Sequence, residues 1–387
     1  MGVGTYALTS LENAKVYIGD IASRNGLWIF CSQSDADSAT VEITDTTIIL
    51  IITGGTQAGT NTLTFADADK NTLTELVTAI NALTGWTAGR IYHGSADSTD
   101  LVITGALSCL GKANKQTLKI EDNYFLEQLI DRATDFLERY CNRKLRSRTY
   151  TREIYYGSGY TELILDQYPV TRVIRVSEGR TNAFSIKNTS TDANFATVEV
   201  TSSALRAVVD GGTNEDDTPF TLSEYGTIDA LITAIEALDK GWSCTAIATD
   251  TDSRDASELL IRPSMFVNSN TSAYIEIVND DLTDYRLLNP SEDRNYGVLK
   301  RPSAWSEDTE YFIDYVAGFS STPEALEDAC VRLVALRYGQ SQRAGSEDLE
   351  SEKLGDYQYK KFNMADFKEA IPLDLKAEVD LFKKYVI

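Results

Sequence analysis

The amino-acid sequence predicts an α+β, multidomain fold: a discontinuous host, with a helical bundle and a β-hairpin as its core, interrupted by two homologous modules of several strands plus one helix. Three observations predict it. A helical phrase occurs twice, as "LTELVTAINALTGW" from Leu73 to Trp86 and as "IDALITAIEALDKGW" from Ile228 to Trp242. Further phrases recur around it in the same order. The residues left when both copies are removed read as amphipathic helices and a strand pair about a glycine turn. A repeat is sought first because a repeated supersecondary unit decides the architecture. The expected division is a host made of residues 1–30, 118–176 and 282–387, a first module at 31–117 and a second at 177–281.

The repeat spreads well beyond the helix. "ATVEI" at Ala39–Ile43 answers "ATVEV" at Ala196–Val200, and Gly54-Gly55-Thr56 answers Gly211-Gly212-Thr213. "LTF" at Leu63–Phe65 faces "FTL" at Phe220–Leu222, and "DLVI" at Asp100–Ile103 matches "ELLI" at Glu258–Ile261. Alternating Val-x-Ile and Val-x-Val patterns predict half-buried strands. Gly-Gly predicts a tight turn. Leu73, Leu76, Val77, Ile80 and Leu83, like Ile228, Leu231, Ile232, Ile235 and Leu238, fall at helical spacing. The glycine after each helix ends it, and Trp86 and Trp242 close each small core. The modules carry net charges of −5 and −12 and the host −5. The halves therefore differ in surface chemistry.

In the host, Thr9-Ser10-Leu11-Glu12 reads as a capping box with Thr9 as the cap, opening a helix that runs to about Ile18. Phe125, Leu126, Leu129, Ile130, Ala133, Phe136, Leu137 and Tyr140 give a long helix over 122–141 with a wide apolar face. "EIYYGSGYTELIL" predicts a hairpin about Gly157-Ser158-Gly159. After Pro169, "TRVIRV" predicts a further strand. Pro323 opens another helix at its first turn, and a last amphipathic helix begins near Asp374.

Composition narrows the function classes. The 387 residues suit two to four domains, and a formal net charge of −22 opposes broad nucleic-acid binding by phosphate neutralisation. The longest aliphatic run, Ile48–Ile52, is far too short to span a bilayer, and no secretory signal core or myristoylation signal opens the chain. Five scattered cysteines without C-x-x-C spacing read as reduced thiols, with Cys31 and Cys109 the only pair worth testing for a bridge. His93 is the sole histidine, so neither a triad nor a histidine-based zinc site is expected. "DADKNT" at Asp67–Thr72 starts like a calcium loop but has Thr78 where the closing Glu belongs. No phosphate-binding loop occurs, and no acidic pair stands out as a glycosidase dyad. The expectation is a non-enzyme without cofactor or metal.

Four host phrases resemble the tailed-phage head-to-tail adaptor (connector) family: "LIDRATDFLERYCNRKL" at Leu129–Leu145, "LDQYPVTRVIRV" at Leu165–Val176, "FIDYVAGF" at Phe312–Phe319 and "EKLGDYQY" at Glu352–Tyr359. The modules in turn resemble small domains of flagellar and phage structural proteins. The resemblance implies a small helical protein with a β-hairpin that forms a ring, typically dodecameric, in the virion neck after assembly in the host cytoplasm. It implies the portal as one partner, a tail or stopper protein as the other, and genomic DNA only as cargo passing through the lumen. No membrane is implied. The two modules depart from the compact members and would act as outward decorations.

Three residue groups follow as candidates. The resemblance places a portal or subunit interface at the C-terminal segment, on Tyr357, Tyr359, Leu375, Val379, Phe382 and Val386, where the plain alternative is a packed terminal helix. Tyr155, Tyr156 and Tyr160 around the expected hairpin are candidate contact anchors, or else lie on their own helices. Arg139, Arg143, Lys144, Arg146, Arg148 and Arg152 form a basic run that would face the lumen or neighbouring subunits, or else pair internally. A virion protein that binds or cleaves surface glycan through its modules is the rival reading.

Overall fold

The structure is a computed structural model. It describes residues 3–19, 21–247, 251–288, 297–343, 351–354, 357–360 and 373–383, with 343, 351–354, 357–360 and 373–375 described by their backbone alone. Two compact units emerge: Met1–Ser147 with Phe319–Ile387, and Arg148–Gly318. In chain order the first unit holds α1 (Leu11–Ile18), β1 (Ser23–Cys31), β2 (Ser38–Ile43), β3 (Thr47–Thr53), β4 (Gly59–Thr64), α2 (Leu73–Ala82), β5 (Trp86–Arg90), β6 (Thr104–Ser108), β7 (Gln116–Glu121) and α3 (Asn123–Cys141). The second holds β8 (Arg148–Tyr156), β9 (Glu162–Ile164), β10 (Val170–Glu178), β11 (Arg180–Asn188), β12 (Phe195–Val200), β13 (Ala204–Asp210), β14 (Asp216–Thr221), α4 (Ile228–Glu236), β15 (Trp242–Ala246), β16 (Arg262–Val267), β17 (Ala273–Val278), β18 (Arg286–Leu287), β19 (Val298–Lys300) and β20 (Glu310–Ala317). The chain then returns to the first unit as α5 (Glu324–Arg343), β21 (Ser351–Leu354), β22 (Tyr357–Lys360) and α6 (Leu373–Asp380).

The two modules are built alike. Each has a three-stranded sheet, β5-β1-β7 or β15-β11-β17, and a four-stranded sheet, β4-β3-β2-β6 or β14-β13-β12-β16. All pairings are antiparallel, and the registers match: Ser23 pairs with Glu121 as Arg180 pairs with Val278, and Cys31 with Trp86 as Asn188 with Trp242. Even the bulge recurs, between Asn25 and Leu27 and between Asn182 and Phe184. In each copy the helix and both sheets share one core, containing Leu73, Leu76, Ile80 and Trp86, or Ile228, Leu231, Ile235 and Trp242. Thr72 caps α2 in a full capping box with Glu75, whereas Thr227 caps α4 by one bond from the Ala230 N–H. The distal turns repeat as well. Asp35 accepts from the Thr56 N–H (2.8 Å) and hydroxyl (2.9 Å), and Asp192 from those of Thr213 (2.8 and 3.0 Å). Gly54, Gly55, Gly211 and Gly212 all have φ between 74° and 77°, and a Cβ on Gly212 would meet Asp192 at 2.8 Å. The first module's three-stranded sheet begins at Ser23 and ends at Glu121, wider than the expected cut at 31–117.

The host part of the first unit is helical. α3 buries Leu126, Leu129, Ile130, Ala133 and Leu137 against Leu326, Ala329, Cys330 and Leu333 of α5, with Ala14 of α1 and Val379 of α6 completing the core. The N-cap of α1 is Ser10, which accepts from the Asn13 N–H, while the Thr9 hydroxyl donates to Glu327 of α5 (3.2 Å). Thr9 is thus a tertiary link and not the expected cap.

The host part of the second unit overturns the expected fold class. Among the described residues strands hold 40% and helices 24%, so the described chain is mainly β and its core is not a helical bundle with one hairpin. Among the described residues six antiparallel sheets of three or four strands are formed, beside the two-stranded β21-β22. The expected hairpin does not close: β8 pairs with β20, and β9 pairs with β19. The physical reason lies in the loop between them. Backbone groups of Gly159 and Tyr160 bond Trp305, and a Cβ on Gly157 would fall 1.9 Å from the Ser306 carbonyl. The glycines therefore admit a close approach by another segment instead of a local reversal. Sheets β10-β20-β8 and β18-β19-β9 enclose an aromatic core of Trp305, Tyr311, Tyr315 and Tyr155.

Candidate interface surfaces

The C-terminal candidates divide. Val379 on α6 is fully buried in the helical core, and the Phe382 ring meets Phe319 edge-on at 5.7 Å. Tyr140 of α3 donates to Asp380 at 2.5 Å, fixing α6 to the bundle. These two apolar residues are spent within their own unit. Tyr357 and Tyr359 lie on β22, paired with Leu354 and Glu352, and Leu375 lies in the first turn of α6; backbone alone is described there. Val386 lies outside the described residues.

The tyrosines divide too. Tyr155 is buried: its hydroxyl donates to Glu153 (2.7 Å), accepts from the Asp166 N–H (2.9 Å) and lies 2.9 Å from the Tyr315 hydroxyl, which donates to Glu153 (2.6 Å). Burial pushes both phenols well above the ordinary tyrosine range. This triad is a satisfied core network. Tyr156 and Tyr160 instead stand 63% and 75% exposed, and Ile164 is exposed as well.

The basic run is paired internally. Arg139 meets Asp135 one turn earlier (2.7 Å), Lys144 meets Glu138 (2.7 Å), and the buried Arg143 lies over the Phe319 ring at 5.5 Å. Arg146 donates to the Thr322 hydroxyl (3.1 Å). In the second unit Arg152 donates its N–H to Asp314 and its guanidinium to the Leu259 carbonyl. Arg148 opens β8 on the far side of the division between units. The six residues thus belong to two bodies and do not form one continuous patch within either.

The sequence reading missed the polar joints at the module bases. In the first unit the fully buried Asp122 accepts from Arg24 (2.6 Å) and from the Tyr92 hydroxyl, and Asn123 donates to Asp100 (2.7 Å). His93 stacks on Tyr124 at 4.4 Å, a packing role. In the second, Arg175 binds Glu258 (3.0 Å) and Asp281 (2.5 Å), while Arg254 binds the same Glu258 (2.5 Å). Long sequence separation hides pairs such as Arg24 with Asp122 and Arg175 with Glu258 and Asp281. Also missed were aromatic residues on outer sheet faces, Trp28 and Phe30 in β1 and Phe195 and Phe266 in β12 and β16. For Trp28 and Phe30 the signal was available: "LWIFC" alternates them with the buried Leu27, Ile29 and Cys31.

All five cysteines are free thiols; the Cys31 N–H donates to the Cys109 carbonyl (2.8 Å). Among the described residues no group of three or more His, Cys, Asp or Glu is placed to hold a metal ion, and no helix is long and apolar enough to cross a membrane. Compared with known proteins, the chain matches no family model and no curated protein.

Proposed function

We propose that this chain is a non-enzymatic structural protein of a tailed-phage virion: a ring-forming adaptor in the neck, joining portal to tail or stopper around the passing DNA, with two outward modules. One observation carries the reading. Each module leaves and rejoins the host through strand ends that touch, Ser23 with Glu121 in the first, and Gly179 beside Asn279 in the second. The host segments they interrupt remain in direct contact: α1 packs on α3, and β10 pairs with β20 along its length. Joined this way, each module fits at a surface loop, where an insertion leaves its host intact. The four host phrases that resemble the adaptor family fall on α3, on the paired strands β10 and β20, and on the pair β21-β22. Tyr156 and Tyr160 supply exposed aromatic contacts of the kind an assembly interface uses.

The test is to incubate the purified chain with portal-bearing heads of the same particle and image them. A closed ring of this protein on the portal is the expected result. A chain that stays monomeric and leaves the portal bare would overturn the reading.

A further inference from the structure

The two modules share an interior and differ on their outer sheet faces. On the three-stranded sheet of the first module, Trp28 and Phe30 stack at 5.9 Å, and Lys115 lies 5.3 Å from the Trp28 ring. Trp28 pairs with Thr117, so the exposed Lys119, two residues on, shares that outer face. At the matched positions the second module carries Ser185, Lys187 and Glu276 in place of Trp28, Phe30 and Lys119, and keeps one aromatic, Tyr274. Gly89 lies under the Trp28 ring, where a Cβ would come within 2.3 Å; the second module has Thr245 there, beside Ser185.

On the four-stranded sheet the asymmetry is reversed. Phe195 and Phe266 stand 44% and 54% exposed on the outer face of the second module. Thr197 pairs with Phe266, which makes Phe195 a diagonal neighbour within aromatic reach. Asp210 and Asp217 lie on the same face, with Arg206 bonded to Asp217 at 2.7 Å and Glu199 opposite Arg206. The first module has Ser38, Ser108, Thr53 and Thr60 at the positions of Phe195, Phe266, Asp210 and Asp217. Neither aromatic set is required by the module fold, because the other copy folds without it. One face is aromatic and basic; the other is aromatic and acidic.

We propose that the face bearing Trp28, Phe30, Lys115 and Lys119 on one copy of the chain docks on the face bearing Phe195, Phe266, Asp210 and Asp217 of a second copy. Two different faces make a head-to-tail contact, the kind that propagates from subunit to subunit and closes into rings. Opposite charge sets the orientation, and the aromatic residues supply the anchors. The inference rests on the ring-forming reading and assigns it a subunit contact.

The test uses the full chain and two double variants, Trp28→Ser with Phe30→Lys, and Phe195→Ser with Phe266→Ser. Each substitutes what the other module carries at the same position, so folding is preserved, as circular dichroism would verify. Sedimentation velocity over a concentration series reads the association. The wild type is expected to form species beyond dimers, and each variant to associate about tenfold or more weakly. An equal mixture of the two variants keeps one intact contact per mixed pair and is expected to stop at dimers. A variant that associates like the wild type, a mixture that forms no dimers, or a wild type that stays monomeric to its solubility limit would overturn the contact. If both variants still close rings on the portal, the contact is wrong and the adaptor reading stands; if the wild type forms none there, the adaptor reading itself fails.

Discussion

Glu127 offers the sharpest test of the joint between the first module and its helices. It is buried on α3. Burial, followed by the nearby carboxylates of Asp97, Asp100 and Asp131, pushes its carboxyl up from 4.5 to about 7. Between those values the folded state holds a proton that the unfolded chain has released. Stability therefore falls as pH rises through this window and is lowest above it. The interval corresponds to roughly 3 kcal/mol at about 1.4 kcal/mol per pH unit, and solvent screening reduces this to ~1–2 kcal/mol. Glu127→Gln keeps the shape and removes the charge. Followed by helix ellipticity in urea, the variant should exceed the wild type by about 1–2 kcal/mol at pH 8 and match it near pH 4, below both values. A variant less stable at pH 8, or a difference that does not change between pH 4 and 8, would refute the assignment.

Three further outcomes follow from the packing. Trp305, fully buried with its indole N–H donating to the Thr161 carbonyl (3.2 Å), anchors the aromatic core of the second unit; Trp305→Ala should cost about 3–5 kcal/mol by urea unfolding, and a loss under 1 kcal/mol would contradict that role. Thr72→Ala breaks a reciprocal capping box and Thr227→Ala a single bond, so the first should cost ~1–2 kcal/mol and the second less; the reverse order in unfolding measurements would count against the caps. Burial pushes the thiols of Cys109, Cys244 and Cys330 up to about 12 and that of Cys141 to about 11. Alkylation of the native chain at pH 8 should therefore be slow at the buried Cys109, Cys141 and Cys330 and fast only after unfolding, whereas rapid native labelling of these three would exclude their buried placement.

What was legible in the sequence was local or repeated. The helices α2, α3 and α4 declare themselves by apolar spacing, and α5 by Pro323 before its first turn. The module equivalence is visible because two copies restate each other. The mainly β character was not legible, since it depends on pairing across long separations. β8 meets β20 more than a hundred residues on, with an entire module between them. A short strand such as β9 or β19, three residues long, carries too little alternation to announce a partner. The glycines at 157–159 read locally as a turn, and only the approach of Ser306 shows why small residues are needed there. The buried fate of Tyr155 beside the exposed Tyr156 likewise depends on which face of β8 each joins, and Tyr160 lies in the loop that follows.

The duplication separates what the fold requires from what has been added to it. Positions where both copies agree, such as the glycine pair, the aspartate that accepts from threonine, and the tryptophan after the helix, are explained by turn geometry, capping and core packing. Positions where the copies disagree on an outer face owe nothing to the module fold. Phe195 against Ser38 and Trp28 against Ser185 are such positions. Their side chains point to solvent, where a lone serine costs nothing and a stacked tryptophan gains little unless something covers it. Divergence that replaces serine by aromatic residues on one sheet in one copy, and on the other sheet in the other, gives a single chain two unlike sticky faces. A protein with two unlike faces assembles directionally, and a directional contact that repeats is what a ring requires.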